Sequence, residues 1–337
     1  MKRAGRLLEQ IATLENVAAA YWLAAKGRRR SEGARSFAMD PDRQINRLVI
    51  ELADGTWHPG PYHMFQVRDP KLRVIHAAPF RDRVAHHALM RVCGPHLERG
   101  AMPYSFACRT GRGSHAAVRH AAGRARVRRF FLKLDIRKYF DSVEHDRLDG
   151  LLRCVIKDGS VLDLMGKVIR SYETQPGRGL PIGTLTSQYL ANFYLDGLDR
   201  WIIEDLGGRD YARYMDDFVL WHDEPGVLEE RGRRIRDWLL AERGLTLKHE
   251  PDPRPCREGM EFLGYRVLPE GILIARRGRR RFAAKLTACG KAHQAGTLSG
   301  GDFQRRLDAL LAWVRVANCR GWLARTCARI AATQEPA

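Results

Sequence analysis

Apolar and polar residues change period several times along the chain, and each period predicts an element. Residues 6–26 repeat at helical spacing, with Leu7, Ile11, Leu14, Ala18 and Tyr21 on one stripe. Gly27 and Arg28 to Arg30 end that stripe, and a polar, basic stretch follows to about Phe37. A second helix is expected over 40–53, stopping before Asp54 and Gly55. Trp57 to Val67 and Leu72 to Ile75 predict short strands around a turn at Asp69-Pro70, and 81–98 predicts a helix. From Phe131 to Ile136 the pattern alternates: Leu132, Leu134 and Ile136 face one way, Lys133 and Asp135 the other. That is a half-buried strand with a carboxylate near its tip.

Further on, helical segments are expected through 145–170, then a glycine-rich loop at 177–183, then a helix over 186–206. Tyr211 to Tyr214 and Phe218 to Trp221 are two apolar runs around Met215, Asp216 and Asp217, a hairpin with acids at its turn. A helix is expected over 226–243. Phe262 to Val267 and Ile272 to Ile274 predict a second hairpin, and helices are expected after 280 to about Ile330. Trp313 and Trp322, spaced with Leu310, Leu311 and Val314, are expected in a helical core. Strands mixed with helices, with no internal repeat, predict an α+β fold.

Composition narrows the partners. The 337 residues carry 58 Lys+Arg against 39 Asp+Glu, a formal charge of +19. Such a surplus repels itself unless a polyanion neutralises it, and phosphate backbones do so with counterion release. Two basic clusters stand out: Arg124, Arg126, Arg128 and Arg129, and Arg276, Arg277, Arg279, Arg280 and Arg281. Both are expected to track phosphates or an RNA–protein partner. The seven cysteines are scattered without a CxxC pair, which argues against a zinc site or a disulfide framework and for a reducing, cytoplasmic setting. No run is long and apolar enough for a membrane span.

The candidate chemistry lies in three acids. An Asp-Asp pair at a turn is weak by itself, because Asp suits turns. Here apolar strand residues flank the pair, and Asp135 ends another strand upstream. Clustered carboxylates stay ionised when a cation sits among them, and Mg²⁺ is the natural one. Two such ions about 4 Å apart would clamp the attacking and leaving oxygens of a phosphoryl displacement.

The segment Arg213 to Phe218 resembles the palm motif of reverse transcriptases. Other blocks follow in that family's order: Arg73 to Arg83, Ser105 to His115, Leu132 to Ser142, Leu180 to Gln188, Leu245 to Lys248, and Phe262 to Tyr265. The resemblance spans roughly residues 57–268. It implies a right-hand polymerase fold: an N-terminal helical extension over 1–56, fingers over 57–129, a palm over 130–274 with a fingers insertion around 150–180, and a helical thumb over 275–337. It implies that Asp135, Asp216 and Asp217 hold two Mg²⁺, with the Ile136 carbonyl as a further ligand, and that Lys248 protonates departing pyrophosphate. Lys71, Arg73, Phe140, Ile182, Gly183 and Gln188 would meet the incoming nucleotide, Phe140 as a gate against the ribose 2′-hydroxyl. Arg109, Arg112, Tyr214, Phe262, Leu263, Gly264 and Tyr265 would meet primer and template.

The stretch Ile182-Gly183-Thr184-Leu185-Thr186-Ser187-Gln188 resembles the form found in reverse transcriptases of diversity-generating retroelements, as do Ala107 to Arg109, Gly113 to His115, and Leu14 to Val17 with Ala19 to Tyr21. That resemblance implies error-prone copying of a template RNA into cDNA at adenines, with dNTPs and a small basic accessory variability protein. Ile182 stands where most relatives carry Gln, so a polar contact to the nucleotide is lost. With no maturase or endonuclease block after the last palm block, a short stand-alone enzyme of bacterial or phage type is expected. A defence-associated reverse transcriptase and a non-catalytic RNA-binding chaperone are the alternatives.

Overall fold

The computed structural model describes residues 3–68 and 72–332, so Lys71 and the Asp69-Pro70 turn lie outside the described residues. The first half of the chain runs α1 (Leu8–Ile11), α2 (Leu14–Ala25), α3 (Glu32–Ala38), α4 (Pro41–Ala53), β1 (His63–Arg68), β2 (Leu72–Ala77), α5 (Phe80–Glu98), α6 (Ser114–Val127), β3 (Phe130–Asp135), α7 (Tyr139–Ser142), α8 (His145–Val155) and α9 (Gly159–Arg170). The second half runs α10 (Leu185–Tyr194), α11 (Asp196–Glu204), β4 (Tyr211–Tyr214), β5 (Asp217–His222), α12 (Pro225–Arg243), β6 (Arg254–Pro255), β7 (Met260–Phe262), β8 (Tyr265–Leu268), β9 (Gly271–Ile274), α13 (Arg276–Gln294), α14 (Gly300–Val314) and α15 (Arg320–Ala332). The α+β expectation is met, with antiparallel pairing in the hairpins.

The chain divides into two compact units. One holds Met1–Arg109, Asp135–Gly207 and Arg234–His249; the other holds Thr110–Leu134, Gly208–Arg233 and Glu250–Ala337.

In the first unit α5 is the central element, with α2 and α10 packed along it. The expected stripe of 6–26 is broken at Thr13, whose hydroxyl accepts from the Asn16 amide and starts a new helix. The break rotates the buried face to Asn16, Val17, Ala20 and Tyr21 and leaves Leu14 exposed. Asn16 is buried because it is fully used: its Nδ2 donates to the Ile11 and Ala88 carbonyls at 3.0 Å each, and its Oδ1 accepts from Arg91 at 2.9 Å. The helix expected over 186–206 is two helices, α10 and α11, meeting at Leu195.

The second unit carries a four-stranded sheet in the order β4-β5-β3-β6 and a three-stranded sheet in the order β7-β8-β9. The run Phe262 to Val267 is not one strand. Leu263 and Gly264 take positive φ (51° and 87°) and turn the chain between β7 and β8, so that Phe262 pairs with Tyr265. Two consecutive left-handed residues make the two-residue connection whose twist suits a hairpin. α6 packs on β4 and β8. A helical cluster of α13, α14 and α15 closes over Phe282, Leu286, Val314, Cys319 and Ile330, with Trp313 and Trp322 packed against it as expected. Among the described residues no helix is long and apolar enough to cross a membrane.

Candidate active site

The first hairpin is built from both ends inward. Tyr211 and Ala212 of β4 and Phe218, Val219 and Leu220 of β5 are fully buried, and Tyr214 pairs with Asp217 across a two-residue turn. The turn holds Met215 at φ 58°, a conformation a bulky residue rarely adopts. Arg213, itself buried, donates from Nη1 to the Met215 carbonyl at 3.3 Å. Arg213 is not among the residues expected at the site. Its signal was a charged residue inside an otherwise apolar strand.

The open end of the hairpin is pinned by ion pairs. Asp210 accepts from Arg124 Nη1 and Arg128 Nε, each at 2.7 Å, and Arg128 also reaches Asp223 just past β5 at 2.5 Å. The Arg129 amide donates to Asp223 at 3.1 Å. Burial pushes the Asp210 carboxyl up, but the hydrogen bonds from Arg124 and Arg128 outweigh it and hold the group below its ordinary value. Arg128, paired first with Asp223 and then with Asp210, is held above its own. This corrects the expectation for the first basic cluster. Arg124 and Arg128 brace the hairpin, because Asp210 and Asp223 neutralise them. Arg126 remains on the surface.

Each outer acid of the expected trio holds a lysine. In the second unit Lys133 Nζ lies 3.1 Å from Asp217 Oδ2. In the first unit Lys248 Nζ lies 3.1 Å from Asp135 Oδ2, and the Lys248 amide donates to the Asp135 carbonyl at 2.9 Å. Ile136, buried, forms a single antiparallel bridge with Leu247, which brings the Leu245 to Lys248 block to the end of β3. β3 neighbours β5 in the sheet of the second unit. The donor chemistry suits a hard divalent cation, and an ammonium already stands against each of these two carboxylates as a substitute positive charge. Among the described residues, no group of three His, Cys, Asp or Glu side chains converges as a preformed metal cage.

The residues expected at the nucleotide fall in the first unit. Arg73 is exposed on β2, opposite Val67. Phe140 is half-buried, and its carbonyl accepts from the Leu180 amide at 2.8 Å, joining two of the sequence blocks. The His76 amide donates to the Ile182 carbonyl at 2.8 Å. Gly183, at φ 119°, leaves no room for a side chain, since a Cβ would stand 2.6 Å from Ile75 Cγ2. The close approach that requires this glycine is thus to β2 of the protein itself. Gln188 is exposed; its Oε1 accepts from the Cys108 thiol at 3.7 Å.

Gly183 and Gln188 also border a cavity of about 250 Å³ with Lys26, Arg28, Arg83 and His87, and no Asp or Glu is among its lining residues. Burial, then the charges of His87 and Arg83, push the neighbouring His86 imidazole down to about 3, so it is neutral. A cavity with cationic walls and no acid favours an anionic group.

The residues expected at primer and template divide between surface and interior. Arg109 donates to the Met102, Ser105 and Ala101 carbonyls at 2.7, 3.0 and 3.4 Å, which fastens its own loop. Arg112 is exposed at the approach to α6, and Tyr214 is half-buried beside the acid turn. Phe262 and Tyr265 are buried, and the Tyr265 hydroxyl donates to the Trp313 carbonyl at 2.7 Å. Leu263 and Gly264 form the tip of that turn.

The chain is similar to several known proteins. Residues 66–267 match the family described as reverse transcriptase (RNA-dependent DNA polymerase). The group II intron-encoded protein LtrA of Lactococcus lactis subsp. cremoris is 26% identical over 172 residues, covering 48% of this chain and 29% of LtrA. Protein YkfC of Escherichia coli is 26% identical over 301 residues, covering 73% of this chain and 79% of that protein. The retron Mx65 reverse transcriptase of Myxococcus xanthus is 25% identical over 271 residues, covering 74% and 60%. The match thus takes in under a third of LtrA. A solved structure of apo telomerase from Candida tropicalis, truncated from its C-terminal domain, aligns at a TM-score of 0.49 and 13% identity, over 64% of this chain and 56% of that one.

Proposed function

The chain belongs to the reverse transcriptase (RNA-dependent DNA polymerase) family, and from that premise we propose that it copies RNA into DNA by metal-assisted phosphoryl transfer. The observation that carries this reading is the Tyr214–Asp217 hairpin. It presents Asp216 and Asp217 from buried strands, inside the segment that matches the family, with a cation already at Asp217. Family members generally use divalent metal ions. Asp135, Asp216 and Asp217 would hold two Mg²⁺ here, with the Ile136 carbonyl as a further ligand, and the bound ions would supply charge stabilisation for the displacement.

Around that centre, Arg73 grips the triphosphate of the incoming dNTP, with Lys71 beside it in sequence, and Phe140 discriminates against a ribose 2′-hydroxyl. Ile182, Gly183 and Gln188 border the nucleotide. Lys248 serves as the general acid toward pyrophosphate, for which its ammonium beside Asp135 is suited. Arg112, Tyr214 and the Leu263-Gly264 turn contact primer and template, with Arg109, Phe262 and Tyr265 supporting them. The cationic cavity beside Gly183 and Gln188 supports a template phosphate in its reach. The chain is read as a right hand: extension 1–56, fingers 57–129, palm 130–274, thumb 275–337.

The finer role is mutagenic copying for a diversity-generating retroelement, with a small basic accessory protein as partner. Its support is the Ile182 to Gln188 block, where an aliphatic side chain replaces a hydrogen-bonding one. Purified protein on a primed RNA with dNTPs and Mg²⁺ tests the enzymatic reading. Wild type should extend the primer and Asp216→Ala should not, and equal extension by both would exclude this site. Ile182→Gln should lower misincorporation opposite template adenine; an unchanged error spectrum would remove Ile182 from the fidelity argument.

A further inference from the structure

We infer that Lys133 is a positioning residue that serves as the resident counter-ion of Asp217, and that a divalent metal ion must compete with it for that carboxylate. The inference rests on the polymerase reading of Asp217.

The geometry is a three-way anchor within one unit. Lys133 Nζ lies 3.1 Å from Asp217 Oδ2, donates to the Glu261 carbonyl at 2.9 Å, and stands 6.0 Å from the centre of the Phe262 ring. β3 places it there by alternation: Leu132 and Leu134 are buried, so Lys133 emerges on the opposite face, two residues before Asp135. The ammonium reaches the carboxylate of β5 and the carbonyl of β7 together, so the lysine joins the acid hairpin to the strand that leads into the Leu263-Gly264 turn. Its side chain is 34% exposed and that of Asp217 is 24% exposed, which leaves room for the ammonium to be displaced without unfolding.

Two consequences follow from charge alone. With no metal bound, Lys133 neutralises Asp217 and keeps the hairpin docked on β7. When a divalent ion arrives, an ammonium at contact distance from the same oxygen opposes it, so metal affinity is set partly by Lys133.

Titration of Mn²⁺ alone into the full chain, read by the electron paramagnetic resonance of the free ion, tests this without catalysis. Lys133→Met should bind Mn²⁺ about tenfold more tightly than wild type, the residue of a contact repulsion after solvent screening. Lys133→Arg, which keeps the charge, should stay within about twofold of wild type. In EDTA, Lys133→Met should melt below wild type and recover more than wild type does on adding Mn²⁺. Equal or weaker Mn²⁺ binding by Lys133→Met overturns the proposal. Asp217→Asn separates the two readings: if it binds as much Mn²⁺ as wild type, the metal role of Asp217 itself has failed.

Discussion

Two hairpins of the second unit solve the same backbone problem and end in different chemistry. Both are closed by two residues, Met215-Asp216 in one and Leu263-Gly264 in the other, and both place a bulky residue first at positive φ, 58° for Met215 and 51° for Leu263. A left-handed residue with a side chain costs roughly 1–2 kcal/mol, so both turns carry strain that the surrounding packing sustains. In the second turn Gly264 absorbs the next positive φ, and buried Phe262 and Tyr265 flank it. In the first turn Asp216 and Asp217 follow, and like charge joins the strain. The extra cost is met by cationic side chains: Arg213 hydrogen-bonded to the turn carbonyl, Lys133 paired with Asp217, and Arg124 and Arg128 paired with Asp210 at the open end. The same fold element is an acidic tip where charge is braced, and a packed corner where aromatic surface is.

The largest expected contrast is in activity. Asp217→Asn should cut primer extension on RNA at least about 10³-fold, since a neutral amide is a poor ligand for a hard cation. Tyr265→Phe in the other hairpin removes only the hydrogen bond to Trp313 and should leave the extension rate within about threefold. Similar losses in both would erase the distinction between tip and corner.

Next in size is a steric test of the packed corner. A methyl group at Gly278 would stand 2.7 Å from Trp313 Cη2 and 3.1 Å from the Gly264 carbonyl oxygen. Gly278→Ala should therefore lower unfolding free energy by about 2–3 kcal/mol in urea denaturation. No change would mean that the Leu263-Gly264 turn is held by something other than α13 and Trp313.

Asp210→Ala probes the charged bracing. It should cost about 2 kcal/mol, the worth of charge-assisted hydrogen bonds reduced by the solvent around both guanidinium groups. The pH dependence has a definite sign. The Asp210 carboxyl is held below its ordinary value, so its contribution is complete above the unfolded pKa of about 4 and fades as pH falls through the lower folded value. Thermal melting of wild type and Asp210→Asn should diverge at neutral pH and converge in acid; curves that stay parallel down to strong acid would remove the brace.

The smallest effect concerns the strain itself. Met215→Gly and Leu263→Gly each relieve a left-handed residue and should raise stability by up to about 1 kcal/mol in denaturant titration. Met215→Gly should also loosen the acid tip and slow extension, whereas Leu263→Gly should change rate less. A drop in stability for either would show that the side chain earns more by packing than it loses by strain.

Much of the site was legible along the chain because it is local. A two-residue turn, its flanking apolar strands and its acids sit within one stretch, and the alternation around Asp135 survives in β3. The second hairpin was misread because Phe262 and Val267 look like one strand until two residues take positive φ, and only Gly264 hints at that. The break at Thr13 was hidden for a similar reason, since a capping hydroxyl competes with an apolar stripe.

By itself the sequence determined which residues could ionise, which strands could be half-buried, and in what order the blocks follow. Tertiary structure alone decided who faces whom. Lys133 and Asp217 are 84 positions apart by their numbers, Arg128 and Asp210 are 82 apart, and no periodicity encodes such pairs. Charge pairing depends on distance in space and on how much water is left around the groups. For this reason the arginines at 124 and 128 read as a phosphate track in the sequence and are braces in the fold, and Lys133 read as the polar side of a strand and stands against the acid on which the function is proposed to depend.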